Sequence, residues 1–262
     1  MKLLAIGDVF GNPGRKAVMR WLPGLREESG ADFVVVNVEN IHAGRGADPA
    51  SVRDVLLAGA DCLTSGNHIW GHRSHAKLLE DERRLLRPAN YPDPCPGRGV
   101  EIFPSAAGWK VAVINLQGRI FMPPVDDPFR AADEILDEVA GLADVRIVDF
   151  HAEATSEKLA MGRHLDSRVA AVFGTHTHVQ TADARVLGGG TGFITDLGMT
   201  GPYESVIGMD TAAALARFRT GRPMRAAPAQ EDPGLRGALF EIDPESGRCL
   251  GVERIQRGGG GH

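Results

Sequence analysis

The chain is poor in the residues that mark several protein classes. Its three cysteines, Cys62, Cys95 and Cys249, are odd in number and far apart, with no Cys-x-x-Cys pair. That excludes a disulfide framework and a thiolate zinc site. No apolar run approaches the ~20 residues of a transmembrane helix, and the run after Met1 is too short for a signal peptide. A reduced, soluble, cytoplasmic protein without a membrane partner is expected. Positive charge is not in excess either: 29 Lys and Arg stand against 34 Asp and Glu, a net charge of −5. No basic field is present to gather nucleic acid nonspecifically, so any nucleotide is expected as a small molecule or a locally held phosphate. Three catalytic signatures are missing as well. Gly11-Asn12-Pro13-Gly14-Arg15-Lys16 fails the phosphate-loop pattern, because Lys16 follows Arg and no Ser or Thr comes next. No Gly-x-Gly-x-x-Gly opens a helix, and no Gly-x-Ser-x-Gly elbow occurs.

What is present suits one large domain. The 262 residues are 43% hydrophobic and 24% charged, the composition of a globular protein with a sizeable core. A single domain over residues 1–257 is expected, followed by a flexible tail over 258–262. The 33 glycines and 16 prolines follow no period, and read as many tight loops where a backbone can approach a ligand. Strand and helix periods alternate. Leu3–Ile6, Phe33–Val36, Asp61–Thr64, Val111–Leu116, Val145–Phe150 and Val169–Phe173 read as buried strands. Helices are expected through Val18, Trp21, Leu22 and Leu25 (kinked or split at Pro23), and over Pro49–Gly59, Phe129–Val139, Ala154–Leu165 and Thr211–Thr220. Short strands near Arg185–Leu187 and Gly192–Thr195 and a hairpin from Gly237 to Arg257 complete the pattern, and 87–97 reads as an ordered loop.

One regularity points to chemistry. Asp8, Glu39, Asn67, His151 and the pair His176/His178 each fall just past the end of an expected strand. In open α/β sheets, ligands bind beyond the carboxyl ends of the strands, so these side chains would meet on one rim. Singly, each has an ordinary explanation. Asp8 could cap a helix, Glu39-Asn40 could be a solvated strand end, Asn67 could close a turn, and His151 could sit in the core. His176-x-His178 on an extended segment would put both imidazoles on one face, a better metal signal than either alone. Together they form an O/N donor set suited to Mn²⁺, Fe or Zn²⁺, and too large for one tetrahedral ion. Two ions ~3.5–4 Å apart polarise a phosphoryl oxygen and acidify a shared water for in-line attack. His42, His72 and His75 flank this set and read as surface residues; His164 reads as a helix-face residue and His262 as part of the tail.

The blocks Gly7-Asp8, Glu39-Asn40, Gly66-Asn67-His68, His151 and Gly174-Thr175-His176-Thr177-His178 resemble the five motifs of the calcineurin-like metallophosphoesterases. Two departures, Phe10 where a histidine is usual and Glu39-Asn40 where Gly-Asp is usual, are similar to the bacterial YmdB-like subfamily. Further stretches resemble that subfamily: Leu86–Pro92, Asp149–Glu157 and Thr195–Pro202. The resemblance implies an α/β fold with two mixed β-sheets packed as a sandwich and flanked by helices, in α-β-β-α layers. It also implies two divalent or trivalent metal ions per chain, iron or manganese. Asp8, Asn40 and His178 would hold one ion, Asn67, His151 and His176 the other, and Glu39 would bridge them. His68 would be the general acid, and Thr200-Gly201 would either let substrate approach closely or form an ordinary turn. Hydrolysis of phosphodiesters follows, with 2′,3′-cyclic nucleotides among the substrates. Two alternatives stay open: a phosphomonoesterase on the same site, and a regulatory protein that keeps the metal site to bind a nucleotide or RNA end. A homo-oligomer is compatible with all three.

Overall fold

A computed structural model describes residues 1–223 and 227–260. The chain forms two mixed sheets. The first has seven strands: β1 (Lys2–Ile6), β2 (Asp8–Val9), β3 (Phe33–Asn37), β4 (Cys62–Thr64), β11 (Met199–Pro202), β12 (Pro233–Asp243) and β13 (Arg248–Gly258). Its path runs β2-β11-β12-β1-β3-β4, with β13 also paired to β12. The second sheet has six strands, in the order β5 (Val100–Pro104), β6 (Lys110–Gln117), β7 (Val145–His151), β8 (Ala171–Thr175), β10 (Gly192–Ile194) and β9 (Arg185–Val186). Within the first sheet β1 pairs parallel with β3 and antiparallel with β12. In the second, β6, β7 and β8 run parallel while β5 is an antiparallel edge.

Period-two burial explains the layers. Along β1, Leu4 and Ile6 face one core with Val18, Leu22 and Leu25 of helix α1 (Gly11–Ser29) and Val52 and Val55 of α2 (Pro49–Leu57). Leu3 and Ala5 face the other way, against Val111, Val113, Ile147 and Phe173 of the second sheet. The outer face of that sheet, through Ile114, Leu116, Val148 and Phe150, packs on Ile135 and Leu136 of α4 (Pro128–Glu138) and Met161 of α5 (Thr155–His164). Three buried cores thus separate four layers, helices outside and two sheets within, as the resemblance implies. Each fully buried Leu or Phe contributes roughly 1.5–3 kcal/mol to this arrangement.

Several elements depart from the expectation. Pro23 does not split α1, which runs unbroken from Gly11 to Ser29, with Leu22 and Leu25 on either side of it buried in the core. Helix α3 (His75–Asp81) and strands β2, β5 and β11 were hidden by short length or by Gly and Pro. The hairpin is longer than its apolar run, since β12 begins at Pro233 and β13 reaches Gly258. The expected tail over 258–262 therefore starts too early. Gly259 is buried, and the Arg236 guanidinium, stacked over Tyr203 with 4.2 Å to the ring centroid, donates to the carbonyls of Gly258 and Gly259. Residues 261–262 lie outside the described residues.

Candidate metal centre

Strand ends from both sheets deliver the site. Asp8 opens β2 and is fully buried, paired in register with Met199 of β11. Glu39 and Asn40 follow β3, Asn67 and His68 follow β4, His151 ends β7, and His176 and His178 follow β8. Two groups of ligand atoms result, each within 4.8 Å of one another: Glu39, His151 and His176, and Asp8, Glu39 and His178. Glu39 belongs to both, so its carboxylate stands where a bridge between two ions would stand.

An asparagine lies beside each group. Asn67 Oδ1 lies 3.2 Å from His151 Nε2. Asn40 Nδ2 donates to Glu39 Oε1 at 2.8 Å and lies 3.1 Å from His178 Nε2, while its Oδ1 lies 2.7 Å from His68 Nδ1. An asparagine ligates a cation through oxygen, so Asn40 would do so after a half-turn of its amide, whose O and N are otherwise interchangeable in shape.

His176 and His178 are not on an extended segment sharing one face, as their spacing suggests. Both take left-handed backbone, with φ 102° and 66°, and this turn sends one imidazole to each group. Such conformations cost about 1–3 kcal/mol and need support. Asp8 Oδ2 accepts from the His176 amide at 3.1 Å. Asp196 Oδ2 accepts from the Thr177 amide at 3.1 Å and its hydroxyl at 2.8 Å. Lys158 Nζ, itself buried, donates to the same carboxylate at 2.6 Å. The carbonyl of Ile207 holds His178 Nδ1 at 2.9 Å, leaving Nε2 toward the site.

Burial and mutual charge shape the titration. Burial raises the Asp8 carboxyl to about 6, against the pull of His178 and His151. Burial opposes the charge of Glu39 too, yet His151 and His68 hold its carboxyl well below the usual range. For His151, burial works against protonation, and the carboxylates of Glu39, Asp8 and Asp149 outweigh it, so its pKa is raised. His176 is driven down to about 3 by burial and by His151 beside it.

These residues fit metal ions on their own evidence. Asp8 Oδ1 is buried without a hydrogen-bond partner among the described residues. His151 Nε2 faces Asn67 Oδ1 and Glu39 Oε2, both at 3.2 Å, and His176 Nδ1 at 3.1 Å. One ring nitrogen carries at most one proton, so it cannot serve three such neighbours, whereas a cation among them would.

Above the two groups opens a cavity of roughly 810 Å³, lined by Asn40, His68, His176, Thr177 and His178 and by Ile207, Met209, Glu153, Arg45 and Arg217. His68 projects into it from the loop after β4. Its backbone N–H donates to Glu39 Oε2 at 2.9 Å, and Nδ1 faces Asn40. Sequence reasoning missed Arg45, Arg217 and Glu153, which lie on loops and on helix α6 (Thr211–Thr220) without periodic signal. Phe10 stands beside the centre as a wedge. It meets His178 edge-on at 5.4 Å and fills the space beside Gly44 and Gly208, at φ 84° and 100°, where any Cβ would strike its ring.

Thr200 and Gly201 do not line the cavity. Both are buried in β11, where the Thr200 hydroxyl bonds the backbone of Arg236 and Gly201 is in register with Gly234. Their strand pairs in parallel with β2, Met199 with Asp8 and Thr200 with Val9. His42 and His72 pack against each other with ring centroids 4.5 Å apart and planes tilted by 59°, His42 is paired to Asp48, and neither lines the cavity. His164 pairs with Asp133 at 2.9 Å on the far face.

Two mixed sheets in α-β-β-α layers, with acid, amide and imidazole donors gathered at their strand ends, define the calcineurin-like metallophosphoesterase fold. Within it, the chain belongs to the YmdB-like protein family, whose model matches residues 4–255. A relative from Bacillus subtilis (strain 168), named 2′,3′-cyclic-nucleotide 2′-phosphodiesterase, is 45% identical over 97% of this chain and 96% of its own. A solved structure of a hypothetical protein from Thermus thermophilus superposes with a TM-score of 0.93 at 43% identity, covering 99% of this chain and 100% of that one. The structure of a novel phosphatase from Mycoplasma pneumoniae gives 0.92 at 32% identity, over 98% and 93%. No helix among the described residues is long and apolar enough to cross a membrane.

Proposed function

We propose that this protein is a dinuclear metal-dependent phosphodiesterase that hydrolyses 2′,3′-cyclic nucleotides. The observation that carries the reading is Glu39, one buried carboxylate shared by two ligand groups at the floor of a cavity that His68 enters. Asp8, Asn40 and His178 hold one ion and Asn67, His151 and His176 the other, with iron or manganese matching this mixed O/N set. When bound, such ions supply Lewis acidity to the phosphoryl group and to a water nucleophile.

The rest falls to the chain itself. With the Asn40 amide turned to ligate through Oδ1, its Nδ2 donates to His68 Nδ1, which leaves the ring proton on Nε2 to be delivered. In the reaction a water oxygen bonds to phosphorus and releases a proton to solvent, the P–O2′ bond breaks, the proton from His68 lands on O2′, and solvent returns a proton to His68. No covalent enzyme intermediate is needed. Arg45 and Arg217 place positive charge at the mouth, where a phosphate monoanion enters. The name of the Bacillus relative supports the cyclic-nucleotide substrate, and the presence of His68 favours turnover over mere binding, which needs no proton donor.

The test is a comparison of metal-replete protein on 2′,3′-cyclic AMP, a nitrophenyl diester and a nitrophenyl monoester, with products separated by chromatography. Faster turnover of the diesters, and a nucleoside 3′-monophosphate as product, is the expected result. Preference for the monoester favours a phosphomonoesterase. Nucleotide binding without turnover favours the regulatory reading.

A further inference from the structure

Beneath the proposed centre lies a buried polar network that the ligand set does not use. Asp149, two residues before His151 on β7, is fully buried between the sheets. Its Oδ1 accepts from the Thr175 hydroxyl at 2.7 Å. Its Oδ2 accepts from the Thr64 hydroxyl at 2.5 Å and from Asn37 Nδ2 at 3.0 Å. Asn37 in turn accepts the backbone N–H of Glu39 through Oδ1 at 3.2 Å. Thr64, Asn37 and Thr175 end β4, β3 and β8, the strands that lead into Asn67, Glu39 and His176.

We propose that Asp149 and Thr175 are positioning residues for the second ion, fixing the ring orientation and tautomer of His151. The chain of donors and acceptors gives the direction. The Thr175 hydroxyl has one proton and donates it to Asp149 Oδ1, beside the Thr64 hydroxyl and the Asn37 amide, which donate to Oδ2. What remains on the Thr175 oxygen is a lone pair, and His151 Nδ1 lies 2.9 Å from it. Nδ1 must therefore carry the ring proton and donate it to Thr175. In the neutral, ligating ring Nε2 then keeps its lone pair, facing Glu39, Asn67 and His176. A carboxylate held behind a ligating imidazole commonly sets its tautomer and basicity, and losing it costs about 10–100-fold in metal affinity. Here a hydroxyl stands between the two, because Asp149 and His151 lie on the same strand and cannot bond directly.

The inference rests on the dinuclear reading, so the experiment begins with the wild-type protein. Metal-free protein is titrated calorimetrically with Mn²⁺, alongside Thr175→Val, Thr175→Ser and Thr64→Val. Val keeps the shape of Thr175 but offers Nδ1 no acceptor. The second binding event of Thr175→Val should weaken by about 10–100-fold, with the first nearly unchanged. Thr175→Ser should restore it. Thr64→Val also removes one hydrogen bond to Asp149 without touching His151, so it should lower Tm comparably while keeping the second affinity. Two ions bound by Thr175→Val as tightly as by wild type overturn the relay. Equal weakening in Thr64→Val and Thr175→Val overturns it as well, since general support of the strand ends then suffices. A wild-type protein that takes up fewer than two ions refutes the dinuclear reading itself.

Discussion

Replacing His68 by alanine removes the one imidazole in the cavity that belongs to neither ligand group, and the structure says what is left behind. The backbone N–H of residue 68 still donates to Glu39 Oε2, so the shared carboxylate keeps that support. Both ions should therefore stay. The proton donor does not. General acid catalysis contributes typically ~10²–10⁴-fold, which at 1.36 kcal/mol per decade is about 2.7–5.4 kcal/mol of transition-state stabilisation. A ribose alkoxide leaving from a cyclic nucleotide needs that whole contribution. A nitrophenolate is already a stable anion and needs little of it. His68→Ala should thus lose about 10²–10⁴-fold in kcat on 2′,3′-cyclic AMP and much less on a nitrophenyl diester. A structural role must be separated from this one, because Nδ1 also tethers Asn40 at 2.7 Å. His68→Asn is the control: its amide can reach Asn40 with a donor or an acceptor, yet carries nothing at the position of Nε2. The two variants should behave alike if His68 donates a proton. Recovery in His68→Asn, or an equal loss on both substrate classes with metal content intact, refutes the proton-donor role.

Three further outcomes follow from the geometry. Glu39→Gln should weaken both ions together, because the shared carboxylate is in both groups; retention of either ion at wild-type affinity contradicts this. Burial raises Asp8 to about 6 from 3.8, so the folded chain holds this proton more tightly than the unfolded one, and ionising Asp8 costs stability as pH rises through that window. A divalent ion offsets that cost only where Asp8 is ionised, so Mn²⁺ should raise Tm more at about pH 8 than at about pH 5, and equal shifts contradict the assignment. A Cβ on Gly201 would lie 3.0 Å from Phe10 Cβ and 3.1 Å from Met199 Sδ, so Gly201→Val should lower Tm with KM unchanged; the reverse pattern would bring this strand back into substrate contact.

Much of the site is legible in the sequence because parallel strands buried on both faces read as plain apolar runs, and the polar residue ending each run stands out. Asp8, Glu39, Asn67, His151 and His176 align on one rim from their positions along the chain alone. The finer geometry is not legible there. His176 and His178 look like neighbours on a strand, but two left-handed residues part them, and the buried Asp196 that stabilises the turn lies far along the chain. Asp149 sits inside β7, where a single polar residue carries no period, and Thr175 ends β8, so their pairing appears only once the two strands are side by side. Strands β5 and β11 are short and flanked or filled by Gly and Pro, and they form because neighbouring strands offer them a ladder.

The claim that two ions share Glu39 is tested most directly by anomalous scattering from crystals of active, Mn²⁺-loaded protein. The account predicts two peaks about 3.5–4 Å apart, both within bonding distance of the Glu39 carboxylate, one among Asp8, Asn40 and His178 and the other among Asn67, His151 and His176. A single fully occupied ion in protein that turns over 2′,3′-cyclic AMP contradicts it.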